Sequence, residues 1–240
     1  MVQDWGEPRW PQDATCAVSL SYDGADPGHT EIVLPILDRS GIAATFYVPP
    51  LALLDHGPEW CRAVDRGHEI GSHSLYSYAL EDGSLPGWTL DMVETDLSMT
   101  RDLFSQVLPQ SGPISFAYPG LDTQCADGDY RSVVAKHHPW ARSEHQGINH
   151  PVFCDSVNLR CTWVKDFGDE AFAAIDEALE TGGWAILAFE GIGGGRRACD
   201  VFTHTEILRR LLMERTKIWI APLREVAMIA ETQKPEVRVS

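Results

Sequence analysis

The chain has 240 residues, 44% of them hydrophobic and 22% charged, which supplies a packed core and excludes global disorder. Lys and Arg number 19 against 35 Asp and Glu, a formal net charge of −16, and the basic doublets Arg196-Arg197 and Arg209-Arg210 are each followed closely by acids. A surface that acidic repels phosphate backbones, so nucleic acid is not the expected partner; no apolar run approaches the ~18 residues that span a bilayer, so neither is a membrane.

The segment Met1–Pro11 is polar, carries Asp4 and Glu7, and has none of the features of a secretory signal. Six cysteines are scattered with no CxxC pair, which fits reduced thiols in a cytoplasm better than a disulfide frame or a structural zinc site.

Strand-like and helical segments then alternate. Thr15–Tyr22 reads as a strand, and Thr30–Arg39 as a helix ended by Gly41. Ala43–Val48 is a strand closed by Pro49-Pro50. Pro58–Asp65 is a helix ended by Gly67, and His68–Ser74 a third strand. A long helix is predicted over Leu90–Leu108, with Leu90, Val93, Leu97, Phe104 and Leu108 on one face. Ile114–Pro119 is strand-like, Tyr130–His137 helical, Pro139–Arg142 a short strand and Ser156–Val164 extended. Glu170–Glu180 is helical, and Gly182-Gly183 leads into the strand Trp184–Glu190. Thr203–Met213 is a helix with a capping box of Thr203 and Glu206 and a staple of Phe202 on Ile207. Lys217–Ala221 is a strand and Arg224–Glu231 the last helix. Such alternation predicts a parallel sheet with helices outside, either a closed barrel or an open doubly wound sheet. No linker or composition break divides the chain, so one domain over 1–240 is expected, with its core at about 15–230.

In a strand–helix barrel the chemistry lies at the carboxyl ends of the strands. Those ends hold Asp23, His73, Tyr118, the neighbourhood of Arg142, and Glu190. Their convergence on one mouth is the site expectation. Asp26-Pro27 reads as a helix start, which makes His29 an ordinary first-turn residue. His204, in the first turn of a capped helix, reads as ordinary too. Gly191–Gly195 lacks the helix start a dinucleotide loop needs and reads as a loop flanking the site. Most of the eight tryptophans read as core, with Trp88 or Trp140 as sugar platforms if exposed.

Five stretches carry a resemblance. AVSLSYDGADPGHTEIVLPILDRSGIAATFYV at Ala17–Val48, GHEIGSHSL at Gly67–Leu75, FAYP at Phe116–Pro119 and GGWAILAFEGIGGG at Gly182–Gly195 resemble, in order, motif regions of the polysaccharide deacetylase family, carbohydrate esterase family 4. KIWIAPLREVAMI at Lys217–Ile229 is similar to its last strand and helix. The resemblance implies a single-domain distorted (β/α) barrel of seven or eight strands, an α/β fold of the deacetylase type. It also implies Asp23 as the general base. The position of the family's second, metal-binding aspartate is Gly24. His73 matches the first metal histidine, Ser77 replaces the second, and Glu190 stands where the family has a general-acid histidine.

A tight divalent site needs three or four suitable ligands. No cofactor is therefore expected, and a divalent metal held by His73 with substitute ligands is the less favoured case. The expected function is hydrolysis of a non-peptide C–N bond, an acetamide or related amide of a small or carbohydrate substrate. Asp23 and Glu190 are the catalytic pair; His73, Tyr118, Arg142 and Ser77 are substrate-binding. The alternative is a retired member that binds a sugar or small molecule. Whether the chain forms a homo-oligomer is left open.

Overall fold

The computed structural model describes residues 8–74, 85–120, 122–195 and 197–235. Seven parallel strands close a barrel: β1 (Cys16–Asp23), β2 (Thr45–Val48), β3 (Glu69–Ser72), β4 (Phe116–Ala117), β7 (Ala141–Gln146), β8 (Leu159–Trp163) and β9 (Trp184–Phe189). Closure comes from β9 on β1, in register from Ala17 opposite Trp184 to Tyr22 opposite Phe189. β10 (Ile218–Ile220) adds to the lower half of β1's other edge, opposite Cys16–Val18, while β2 takes the upper half, opposite Ser21–Asp23. The barrel is thus distorted at this shared edge. A small antiparallel hairpin, β5 (Gln124–Cys125) with β6 (Gly128–Asp129), lies outside it.

Every residue of β1 is buried, because helices cover one side and the barrel interior the other. Period-two alternation sorts the strand. Cys16, Val18, Leu20 and Tyr22 face the helices within the largest apolar cluster. Ala17, Ser19, Ser21 and Asp23 fall on the opposite, inner side. Parallel register carries this sorting to the neighbours: Thr45 and Glu69 share the level of Ser21, and Tyr47 and Gly71 that of Asp23. Gly71 is required by that packing, since a Cβ there would lie 2.6 Å from Cε1 of Tyr47.

The outer layer consists of α1 (Leu34–Ser40), α2 (Pro50–Asp55), α3 (Gly57–Asp65), α4 (Leu90–Val107), α5 (Arg131–His137), α6 (Asp169–Thr181), α7 (Val201–Met213) and α8 (Leu223–Glu231). Two expectations need correction. The proline pair after β2 does not merely stop a strand; Pro50 opens α2, its fixed φ suiting a first helical turn. The helix expected to start at Thr203 begins earlier, because Asp200 caps it with both oxygens: Oδ1 accepts from the Thr203 amide at 2.9 Å and Oδ2 from the Thr203 hydroxyl at 2.6 Å. Phe202 is 75% exposed and forms no staple on Ile207.

Candidate active site

Asp23 ends β1 on the inner side and is 5% exposed. Arg142, fully buried on β7, donates from Nη2 to Asp23 Oδ2. A guanidinium without water is stable only if its charge is answered. Here Asp23 answers it, and the rings of Tyr47 and Trp163 lie 5.2 and 5.3 Å from its central carbon. Its Nη1 also reaches Cys161 Sγ and the Ser143 carbonyl, both at 3.4 Å. Burial pulls the guanidinium's pKa down, but Asp23, then Cys161 and Tyr47, more than reverse this, so Arg142 stays charged.

Tyr47 is itself held from below. Its hydroxyl donates to Ser115 Oγ at 2.9 Å, and Ser115 Oγ donates to Glu69 Oε1 at 2.8 Å. The Ser115 amide donates to the same oxygen at 3.0 Å, while the Thr45 hydroxyl and the Arg224 amide donate to Oε2 at 2.8 and 3.0 Å. Four donors around one buried carboxylate make Glu69 a strut beneath the site.

His73 follows β3 and is partly buried. Its Nδ1–H donates to the Ala117 carbonyl at 3.2 Å, which leaves Nε2 with its lone pair. Burial pushes the His73 pKa down; Asp23 pulls it up and Arg142 pushes it down again. Asp23 Oδ1 is buried with no hydrogen-bond partner. The site therefore presents a carboxylate oxygen and an imidazole nitrogen as acceptors.

Glu190 follows β9 and is partly buried. Its backbone carbonyl accepts from His29 Nε2 at 2.5 Å, and its Oε2 lies 3.7 Å from Arg197 Nε. His29 is a first-turn residue, fully buried, and it braces the Glu190 backbone. His204 is fully buried as well, hydrogen-bonded to the Tyr22 hydroxyl at 2.8 Å.

Tyr118 is not brought to this mouth. Ala117 and Arg142 are register partners on the inner side, so Phe116 and Tyr118 point outward by alternation. Tyr118 packs on Phe116 and Tyr130 and donates to the Val157 carbonyl at 2.9 Å. Trp140, 4% exposed, offers no sugar platform. Ser77 lies outside the described residues. Sequence reasoning missed Tyr47, Trp163, Glu144 and Arg197. The first two had a signal: Tyr47 is two residues from Thr45 and Trp163 two from Cys161, one face of each strand.

The buried histidines set a pH dependence. Burial lowers both His138 and His204 to about 4 from an ordinary 6.5. His138 Nδ1 donates to the Ile114 carbonyl at 3.1 Å and its Nε2 has no partner, a geometry for the neutral ring. Between those values the unfolded chain binds the extra protons, so stability should fall as pH drops from about 6.5 to about 4. Urea midpoints across that window should decline, and His138→Gln should flatten the decline. An equal slope in that variant would contradict it.

Gly24 has φ +88, a left-handed conformation in which a side chain is strained, although nothing lies within 4 Å of where a Cβ would be. It supplies no ligand. Among the described residues, no three His, Cys, Asp or Glu side chains gather to hold a metal ion. Of the described residues, Asp23 and His73 supply two donors, which by themselves do not make a tight divalent site.

A closed barrel of seven parallel strands with helices outside has the architecture of the deacetylase-type (β/α) barrels. The chain belongs to the polysaccharide deacetylase family, whose profile matches residues 12–137. Among solved structures it is similar to a candidate polysaccharide deacetylase from Mycobacterium smegmatis, at 18% identity and a TM-score of 0.65, covering 95% of this chain and 94% of that one. It is also similar to a family 4 acetyl xylan esterase from Clostridium thermocellum in complex with a cobalt ion, at 18% identity and a TM-score of 0.60, covering 93% and 100%. A mutant of a CE4 family pseudoenzyme with restored enzymatic activity aligns at 15% identity and a TM-score of 0.52, covering 88% and 67%. No curated protein sequence matches the chain. No helix among the described residues is long and apolar enough to cross a membrane.

Proposed function

We propose that this protein hydrolyses an N-acyl C–N bond, an acetamide, on a carbohydrate-type substrate, with Asp23 as the general base. The observation that carries this reading is the state of Asp23: one oxygen accepts from Arg142, the other is buried with no hydrogen-bond partner, and the carboxylate acts electrostatically on His73. Water seated between Oδ1 and His73 attacks the acyl carbon and gives its proton to Asp23. Arg142 offsets negative charge developing nearby. When protonated, Glu190 gives its proton to the departing nitrogen as the C–N bond breaks, leaving a carboxylic acid and an amine. Water activation falls to Asp23 and His73, since the described donors do not make a tight metal site.

Acetate release from an N-acetylated chito-oligosaccharide, by protein dialysed against a chelator, tests the reading. Turnover is expected, and chelator should not change it. Turnover that appears only on adding a divalent cation would overturn the metal-independent mechanism. Binding without any turnover would favour a second reading, a non-catalytic carbohydrate binder, which Gly24 at the ligand position supports.

A further inference from the structure

Arg197 presents a guanidinium at the mouth that nothing in the mechanism requires. Its side chain is 37% exposed, and its nearest carboxylates, Glu190 at 3.7 Å and Glu144 at 3.8 Å, are too far for hydrogen bonds. Among the described residues it makes no hydrogen bond. Its central carbon lies 5.7 Å from the Trp163 ring centre, and Trp163 also carries Arg142 at 5.3 Å. Both guanidiniums therefore lie against the same indole.

Arg197 is not simply a loose end of a glycine-rich loop. The Gly193 amide donates to the Cys199 carbonyl and the Cys199 amide to the Gly191 carbonyl, each at 2.9 Å. Cys199 also bridges to Asp166 in the loop after β8. Within this pinned loop Arg197 adopts φ +47, a left-handed conformation costly for a long side chain. Ring stacking occupies one face of a guanidinium and leaves its edge donors free, the arrangement that takes a carboxylate with two parallel bonds.

We propose that Arg197 binds a carboxylate on the substrate, so that the preferred substrate is an acidic N-acyl sugar rather than a neutral one. This rests on the hydrolase reading for the reaction but not for the binding.

The test uses two N-acetylated hexosamine oligosaccharides of equal length, one neutral and one oxidised at C6 to the carboxylate. Affinity for each is measured by calorimetry, and acetate release is followed in parallel. The carboxylated ligand should bind ~10–50-fold tighter, as a charge-assisted bidentate pair does. That ratio should collapse to near unity in Arg197→Ala and fall partway in Arg197→Lys, and high salt should lower it in the wild type. A wild type with no preference, no binding of the carboxylated ligand, or a preference that survives Arg197→Ala would overturn the proposal. Equal turnover of both ligands would sink it while leaving the hydrolase reading intact; an Arg197-dependent preference without turnover would do the reverse.

Discussion

Arg142→Ala is expected to cost about 3–5 kcal/mol of stability, the usual cost of leaving half of a buried ion pair behind. The pair has no water to fall back on: Arg142 is fully buried and Asp23 is 5% exposed. Removing the guanidinium also leaves a space beside Tyr47 and Trp163, whose ring centres lie 5.2 and 5.3 Å from its central carbon. Denaturant unfolding at pH 7 measures the loss. Adding Asp23→Asn should recover part of it, because the orphaned charge is then gone. A single variant that loses less than about 1 kcal/mol would mean that water reaches the pair and that the site is more open than its burial indicates.

Asp23→Asn alone is expected to reduce turnover by about 100- to 10,000-fold, the range for removing a positioned general base. Substrate affinity should change far less, since the amide keeps the shape of the carboxyl and can still contact its neighbours. Glu190→Gln should also cost most of the rate, and the double variant little more than the worse single one, because groups acting as a unit are not additive. Acetate release gives the rates, and calorimetry with the same ligand shows that the pocket is intact. Turnover that survives both substitutions would remove these two residues from the chemistry.

The reading of Tyr118 shows where strand-end logic fails. Position at the end of β4 was legible, but direction was not used. FAYP places a small residue between two aromatic ones, and alternation sends the small one, Ala117, to the crowded interior beside Arg142. Pattern could have excluded Tyr118. It could not have shown that Arg142 reaches Asp23, 119 residues earlier in the chain. Likewise Glu69 reads in sequence as one acid in a strand. Only the packing of β2, β4 and the start of α8 around it reveals four donors on one carboxylate.

The chain's sequence by itself determined the alternation of strands and helices and which residues stand at the strand ends, among them Asp23, His73 and Glu190. Those are local properties: apolar period, turn chemistry and residue identity at motif positions. Tertiary structure alone decided which strand ends meet. It joined β9 to β1, set Arg142 on Asp23 near the rings of Tyr47 and Trp163, and turned Tyr118 away. It also brought Arg197 from a glycine loop to the ring of Trp163. Register and closure arise from contacts between residues distant in sequence, where no local spacing records them.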